Sequence, residues 1–334
     1  MPVISILLPL FNAAPTLPAA LRSIRRQSLT DWECIVVDDG STDGGAEIVE
    51  DFGAGDPRFV LLRTDHGGIV AALNRGIERC RAPLVARMDA DDIMSRERLA
   101  RQAAMLHAEP RLAAVGCHVR LFPRRQLGKG WRDYERWLNR IVSPEQLRRE
   151  SLIECPIGHP TWMIRREVLA HFRYRDCGWA EDYDLLLRLL AEGREIGVVP
   201  RRLLSWRDSP ERLSRRDPRC SIDSFVRCKA QFLAEGFLRE ARQFGLWGYG
   251  ATGRQLHRAL REHGRELAFV IDVHPGRLGQ RILSAPVVAP DEYGFPAGGA
   301  PLIVSVAHER PRQEIREFLA RRGLQELRDF VCAA

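Results

Sequence analysis

The first hundred residues repeat one pattern, and it leaves few folds open. A short apolar run leads into a polar turn, and apolar residues at helical spacing follow. Residues 3–8 run into a turn that holds Pro9, Phe11 and Asn12, and Leu17, Leu21 and Ile24 then mark a helix. Residues 33–37 run into the acidic turn at 38–43, with a helix expected over 46–52. A third strand at 59–62, a third helix at 69–79 and a fourth strand at 83–88 continue the series. Strands alternating with helices predict a largely parallel sheet covered on both faces, which excludes all-α and all-β folds. In such sheets ligands bind beyond the carboxyl ends of the strands, where these polar turns fall.

At 334 residues and 38.0 kDa the chain has room for two domains. Its 45% hydrophobic and 28% charged residues exclude a disordered or fibrous chain. No apolar stretch approaches the roughly 18–20 residues of a membrane span. The opening MPVISILLPL lacks a basic lead-in and a small-residue cleavage site, so it reads as a first strand and not a signal peptide. Eight scattered cysteines without a CxxC pair suit reduced core residues in the cytoplasm. Cys155 and His159 are close in sequence, but no second pair completes a zinc site. The net charge of +7 divides into −4 over 1–100, +8 over 101–241 and +3 over 242–334. All but Lys129 and Lys229 of the 51 basic residues are arginine, which reflects either codon bias or recognition of anionic oxygens. No basic-aromatic binding module is present, so nucleic acid is not an expected partner.

The pattern becomes irregular over 110–180, with a strand at 113–122 and an arginine-rich amphipathic helix at 130–142. Leu185, Leu186, Leu189 and Leu190 mark a helix over 181–193, and a polar stretch fills 205–219. We expect one domain over 1–220, a helical linker over 221–241 and a second domain over 242–334.

The strongest chemical signal is MDADD at 88–92, directly after an apolar strand. Two accounts stand for Asp89, Asp91 and Asp92. Carboxylates this close repel one another, and a hard divalent cation would relieve them while bridging to a diphosphate. The other account is a solvated turn with Asp92 as a helix N-cap. Asp38 and Asp39 end the second strand on the same sheet edge, which favours a crevice suited to a nucleotide.

Pro9-x-Phe11-Asn12, VVDDGSTD at 36–43, Gly67 to Asn74-x-Gly76, Asp89-x-Asp91 and Glu181-Asp182 occur in one order. Together, over about residues 2–215, they resemble family 2 glycosyltransferases of the GT-A fold. The resemblance implies a doubly wound mixed α/β sheet for the first domain. It implies a nucleotide-diphosphate sugar donor, UDP being the expected nucleotide, bound by Pro9, Phe11, Asn12, Asp39, Gly67, Asn74 and Asp89. Asp39 would accept from a ring N–H, Asp89 would meet ribose, and Asp91 would hold Mn²⁺ or Mg²⁺ on the diphosphate. Asp182 would be the general base that deprotonates an acceptor hydroxyl, giving inversion at the anomeric carbon. His159, Trp179, Glu181 and Arg207 would contact acceptor or phosphate. A sugar or lipid-linked acceptor, polysaccharide or glycoconjugate synthesis, and a cytoplasmic location with the inner membrane face as an option complete what the resemblance implies. Glu181 and Asp184 are like charges beside Asp182, which would raise its pKa. Helix-dipole complementation is the alternative account of these acids.

One departure is visible: many relatives carry His where Ser209 stands, so Arg207, Arg212 or Arg215 are candidates to neutralise phosphate. Trp131, Tyr134 and Trp137 lie three apart between arginines. They would cover an acceptor cleft, rest on an anionic membrane, or simply pack inward.

The last part opens with LWGYGATG at 246–253, a strand running into GxGxxG, with a helix over 254–263. A second strand ends at Asp272, about twenty residues on. Gly248, Gly250, Gly253 and Asp272 match a dinucleotide-binding arrangement in a small Rossmann-like domain. A nucleotide site and a purely structural role both stand. Three rivals frame the reading. A nucleotidyltransferase would carry a glycine-rich basic loop, but residues 9–18 contain neither glycine nor a basic residue. A non-catalytic sugar-nucleotide sensor would bind without turnover. An NAD(P)-dependent enzyme would work through the second domain.

Overall fold

A computed structural model of the chain describes residues 1–210, 212–294 and 299–334, with the side chains of 213 and 214 outside that description. The chain divides into two compact units. The first comprises Met1–Leu147, Pro156–Cys177 and Glu181–Arg212. The second comprises Arg148–Cys155, Gly178–Ala180 and Leu213–Ala334.

The chain begins β1 (Ile4–Leu10), α1 (Leu17–Arg25), β2 (Trp32–Asp38), α2 (Gly45–Gly55), β3 (Phe59–Arg63), α3 (Gly68–Arg79) and β4 (Leu84–Arg87). It continues β5 (Ile93–Met94), α4 (Arg98–Ala108), β6 (Leu112–Phe122), α5 (Lys129–Leu138), α6 (Pro144–Glu150), β7 (Met163–Arg165), α7 (Arg166–Phe172), α8 (Glu181–Ala191) and β8 (Glu195–Arg207). These strands form one mixed sheet in the order β3-β2-β1-β4-β7-β6-β8-β5. The four strands legible from the alternation are its parallel half. Every residue of β1 and β2 is buried, as helices on both faces require. β7 runs antiparallel to β4 and β6, while β6 and β8 are parallel.

β8 has thirteen residues and no counterpart in the sequence reading. Its ladder with β6 steps from Cys117↔Val199 to His118↔Arg202, so Pro200 and Arg201 form a bulge. That bulge interrupts the two-residue period and tolerates a proline without a ladder donor. The expected polar stretch at 205–219 therefore begins as strand. α5 buries its aromatic side: Trp131, Tyr134 and Trp137 pack against the core that includes Leu121, Leu138 and Trp206. Of the three accounts of that helix, inward packing is the one seen.

After α9 (Leu213–Arg216) and α10 (Ile222–Glu235) come β9 (Gln243–Trp247), α11 (Ala251–Glu262), β10 (Glu266–Ile271), β11 (Arg281–Ile282), β12 (Ala285–Val288), β13 (Leu302–Val304), α12 (Glu309–Arg321) and β14 (Phe330–Cys332). The sheet order is β11-β12-β10-β9-β13-β14, parallel except at the β11 edge. α10 covers the stretch expected as a linker, yet its Val226, Ala230 and Leu233 share a core with Phe244, Leu246 and Leu260. Leu152 packs on the same core. The segment Arg148–Cys155 is fastened there by ions. Arg316 reaches Glu150 at 2.8 Å and Glu326 at 2.9 Å, and Arg149 reaches Glu326 at 2.7 Å. Lys229 Nζ donates to the Ile153 carbonyl at 2.6 Å.

Candidate active site

The carboxyl ends of β1, β2 and β4 meet as expected, and the turns after β1 and β2 are stitched together. Asn12 takes a left-handed φ of 48°, which a short amide side chain tolerates. Its Oδ1 accepts from Thr42 N at 2.9 Å, and its own N–H donates to Ser41 Oγ at 3.0 Å. Pro9 is buried within β1. Phe11 is 48% exposed at the mouth of the crevice, with one face stacked on His66 at 4.3 Å.

Asp39 is 4% exposed and already well used. Gly67 N and Gly68 N donate to its two oxygens at 2.8 and 2.9 Å, so the carboxylate caps the start of α3. His66 Nδ1 lies 2.9 Å from Oδ2. A carboxylate offers about four acceptor positions, which leaves one for a ligand. Asn74 belongs elsewhere, and this corrects its expected role. Its Nδ2 donates to the Tyr174 carbonyl at 2.9 Å and its Oδ1 accepts from Tyr174 N at 3.1 Å. The carboxamide is a clasp between α3 and the chain after α7.

Asp89, Asp91 and Asp92 present oxygens that all lie within 4.8 Å of one another. Burial, then the charge of Asp89, pushes Asp91 up to about 6. Burial and both neighbours push Asp92 up as well. Asp92 is not the helix N-cap that one account allowed: β5 follows it, and its side chain is fully buried. Its Oδ1 accepts from Arg207 N at 2.7 Å, while its Oδ2 is buried without a hydrogen-bond partner among the described residues. Arg207 Nε donates to the Asp91 carbonyl at 2.8 Å, so this arginine clips the turn in place. Arg212 lies 4.4 Å over the Trp206 ring, and its positive charge lowers the Asp91 pKa. Arg212 Nη1 is buried without a hydrogen-bond partner among the described residues. Three crowded carboxylates, one with an orphaned oxygen, form a donor set that fits a hard divalent ion.

Asp182 lies in the first turn of α8. Burial raises its pKa to about 7, with the charge of Glu181 second, while the Tyr183 N–H and Arg87 oppose the rise. The expected contribution of Asp184 is corrected: it is fully buried and neutralised by Arg188 at 2.7 Å and Arg175 at 3.1 Å. Glu181 is buried too, 3.6 Å from His159 Nδ1. His159 Nε2 lies 2.8 Å from the Tyr174 hydroxyl, and burial holds the imidazole neutral. Both side chains are buried and engaged in the interior, Glu181 with His159 and His159 with Tyr174. Trp179 is half-buried and falls in the second unit.

Arg87 is the buried charge beside these acids that the motif reading overlooked. It is 5% exposed, pairs with Asp89, and its charge also acts on Glu181 and Asp182. A charged residue inside the apolar run at 83–88 was the available signal, because such a group is seldom buried without a partner.

In the second unit Gly248 has φ +88°, and a Cβ on Gly253 would come within 2.4 Å of the Gly248 carbonyl oxygen. A Cβ on Gly250 would meet nothing within 4 Å, leaving the start of α11 open. Asp272, expected to meet ribose, is turned to its own loop. It accepts from His274 N at 2.9 Å and Arg277 Nη1 at 2.8 Å.

Fold and site together define a glycosyltransferase of the GT-A class. Residues 5–173 match the model of glycosyl transferase family 2, and the chain belongs to that family. It is 28% identical over 247 residues to the amylovoran biosynthesis glycosyltransferase AmsE of Erwinia amylovora, covering 72% of this chain and 90% of that one. It is 27% identical over 192 residues to WfgD of Escherichia coli, a UDP-Glc:alpha-D-GlcNAc-diphosphoundecaprenol beta-1,3-glucosyltransferase, covering 57% and 70%. The fold matches S. aureus TarS 1–349 in complex with UDP-GlcNAc with a TM-score of 0.56 and 18% identity, over 79% of this chain and 72% of that one. No described helix is long and apolar enough to cross a membrane.

Proposed function

We propose that this enzyme transfers a sugar from a nucleotide-diphosphate donor, UDP-linked by preference, to a hydroxyl of a saccharide acceptor with inversion. The observation that carries the reading is the pairing of the three-carboxylate turn with a separate carboxylate, Asp182, whose pKa lies near neutrality. Phe11 offers an open aromatic edge to the base, and Asp39 has one acceptor position left for a ring N–H. Asp91 takes Mn²⁺ or Mg²⁺, with Asp89 and Asp92 adding negative charge beside it. When bound, the ion supplies Lewis-acid stabilisation of the departing diphosphate. Asp182 accepts the acceptor hydroxyl's proton in the transition state, which suits a base with a pKa near working pH. Arg87 holds Asp89 and stabilises the ionised form of Asp182. The setting we assign is polysaccharide or lipid-linked glycan assembly, supported by the names of AmsE and WfgD, and we place it in the cytoplasm. For the second unit we keep a structural role foremost, since Asp272 is engaged by its own loop.

Thermal unfolding with UDP, GDP, dTDP and NAD, each with and without Mn²⁺, tests this. One diphosphate should stabilise only with metal, by about 2.7 kcal/mol at a hundredfold excess over its dissociation constant. Asp91→Ala should abolish that gain. Stabilisation by NAD alone, untouched in Asp91→Ala, would move the active site to the glycine loop of the second unit.

A further inference from the structure

Two open grooves on the first unit meet at Arg202. One, of about 540 Å³, is lined by Arg26, Arg96, Arg120 and Arg202 around Met94 and Leu204, with no acidic residue. The other, of about 600 Å³, adds Arg124, Lys129, Arg132 and Arg136. Its two acids are already committed, Asp133 to Arg136 and Glu135 to Arg124.

Arg26, Arg96, Arg120 and Arg202 are exposed, and none makes a side-chain hydrogen bond or ion pair among the described residues. Elsewhere in this unit Arg58, Arg63, Arg81 and Arg101 each reach a carboxylate. Other exposed arginines of the unit, such as Arg75 and Arg79, also lack a carboxylate among the described residues; what sets this group apart is that its four members line one groove with no acid in it. The backbone beneath it is fixed. Ser95 N donates to Leu203 O and Ser28 N donates to Arg96 O, both at 2.8 Å, and Arg120 and Arg202 lie on the paired strands β6 and β8. Holding like charges on rigid strands without counter-charge is unfavourable, and an extended anionic surface relieves it.

We propose that this basic face docks on an anionic lipid bilayer, its arginines meeting phosphate headgroups. The choice of a bilayer rests on the lipid-linked branch of the setting proposed above, in which the enzyme works at a membrane surface. Arginines spread along open grooves suit many headgroups better than one enclosed anion. The aromatic side of α5 is turned inward, so the attachment is electrostatic.

Sedimentation with vesicles tests it on the whole enzyme, without donor or acceptor. Binding is expected to vesicles of phosphatidylglycerol with phosphatidylcholine, not to phosphatidylcholine alone, and should weaken in high salt. The triple variant Arg96→Ala, Arg120→Ala, Arg202→Ala should lose about a hundredfold in partition, at roughly fivefold per arginine. Its thermal midpoint should hold or rise, its transfer to a soluble acceptor should stay unchanged, and the triple lysine variant should keep most of the binding. Absence of wild-type binding, equal binding by the alanine variant, or binding of RNA or inorganic diphosphate in place of vesicles would each overturn docking. Failure of the wild type to turn over donor with lipid-linked and soluble acceptors alike would sink the proposed function and leave the vesicle result standing.

Discussion

Asp182 differs from the two acids beside it in what it touches. Asp184 is locked between two arginines and Glu181 is buried beside a neutral histidine, whereas Asp182 has no ion pair among the described residues. Asp182→Asn should lower kcat by about 100- to 10,000-fold while leaving metal-dependent UDP stabilisation intact. The wild-type rate should climb with pH up to about 7 and then level, because the base works only when ionised. Stability should move the other way. A folded-state pKa above the unfolded value means that the fold favours the protonated form, so stability falls as pH rises from about 4 to about 7. Thermal unfolding at pH 8 should therefore show Asp182→Asn more stable than wild type; an equal or lower midpoint would mean that Asp182 is not held near neutrality.

At the scale of elements, the site depends on how closely α3 lies on the sheet. Its first two amides fix Asp39, and its Gly76 faces the strands. A Cβ there would come within 2.2 Å of Leu7 Cδ1 and 2.8 Å of Val37 Cγ2. Gly76→Ala should therefore cost about 1–3 kcal/mol through overpacking, read as a lower urea midpoint at unchanged slope. Donor binding should weaken with it, since the displaced helix carries Gly67 and Gly68 away from Asp39. A variant with wild-type midpoint would show that the helix has slack.

At the scale of the whole molecule, neither unit is one continuous stretch of chain. Residues Arg148–Cys155 lie in the first half of the sequence but belong to the second unit. Cutting the chain after residue 220 removes Glu326, Arg316 and Lys229, which fasten that segment, and strips the core against which Leu152 packs. The shortened chain is expected to aggregate on expression; a monomeric product with the wild-type melting profile of the first unit would contradict this.

The sequence alone determined the parallel half of the first sheet, the glycine turn of the second unit, and which acids stand at strand ends. Those features are written in local periods and in motifs of a few residues, so a neighbour within about fifteen positions is enough to read them. Tertiary structure decided the rest. β8 was hidden by a bulge at Pro200 that breaks the period. Asn74 and His159 looked like ligand contacts, but Asn74 clasps Tyr174, a hundred residues away, and His159 sits in the interior beside Glu181, twenty-two residues away. Arg87 joins β4 to the start of α8 across nearly a hundred residues. A polar side chain in a motif carries the same letter whether it faces a ligand or fastens two segments, and only the packed chain fixes which atoms remain free.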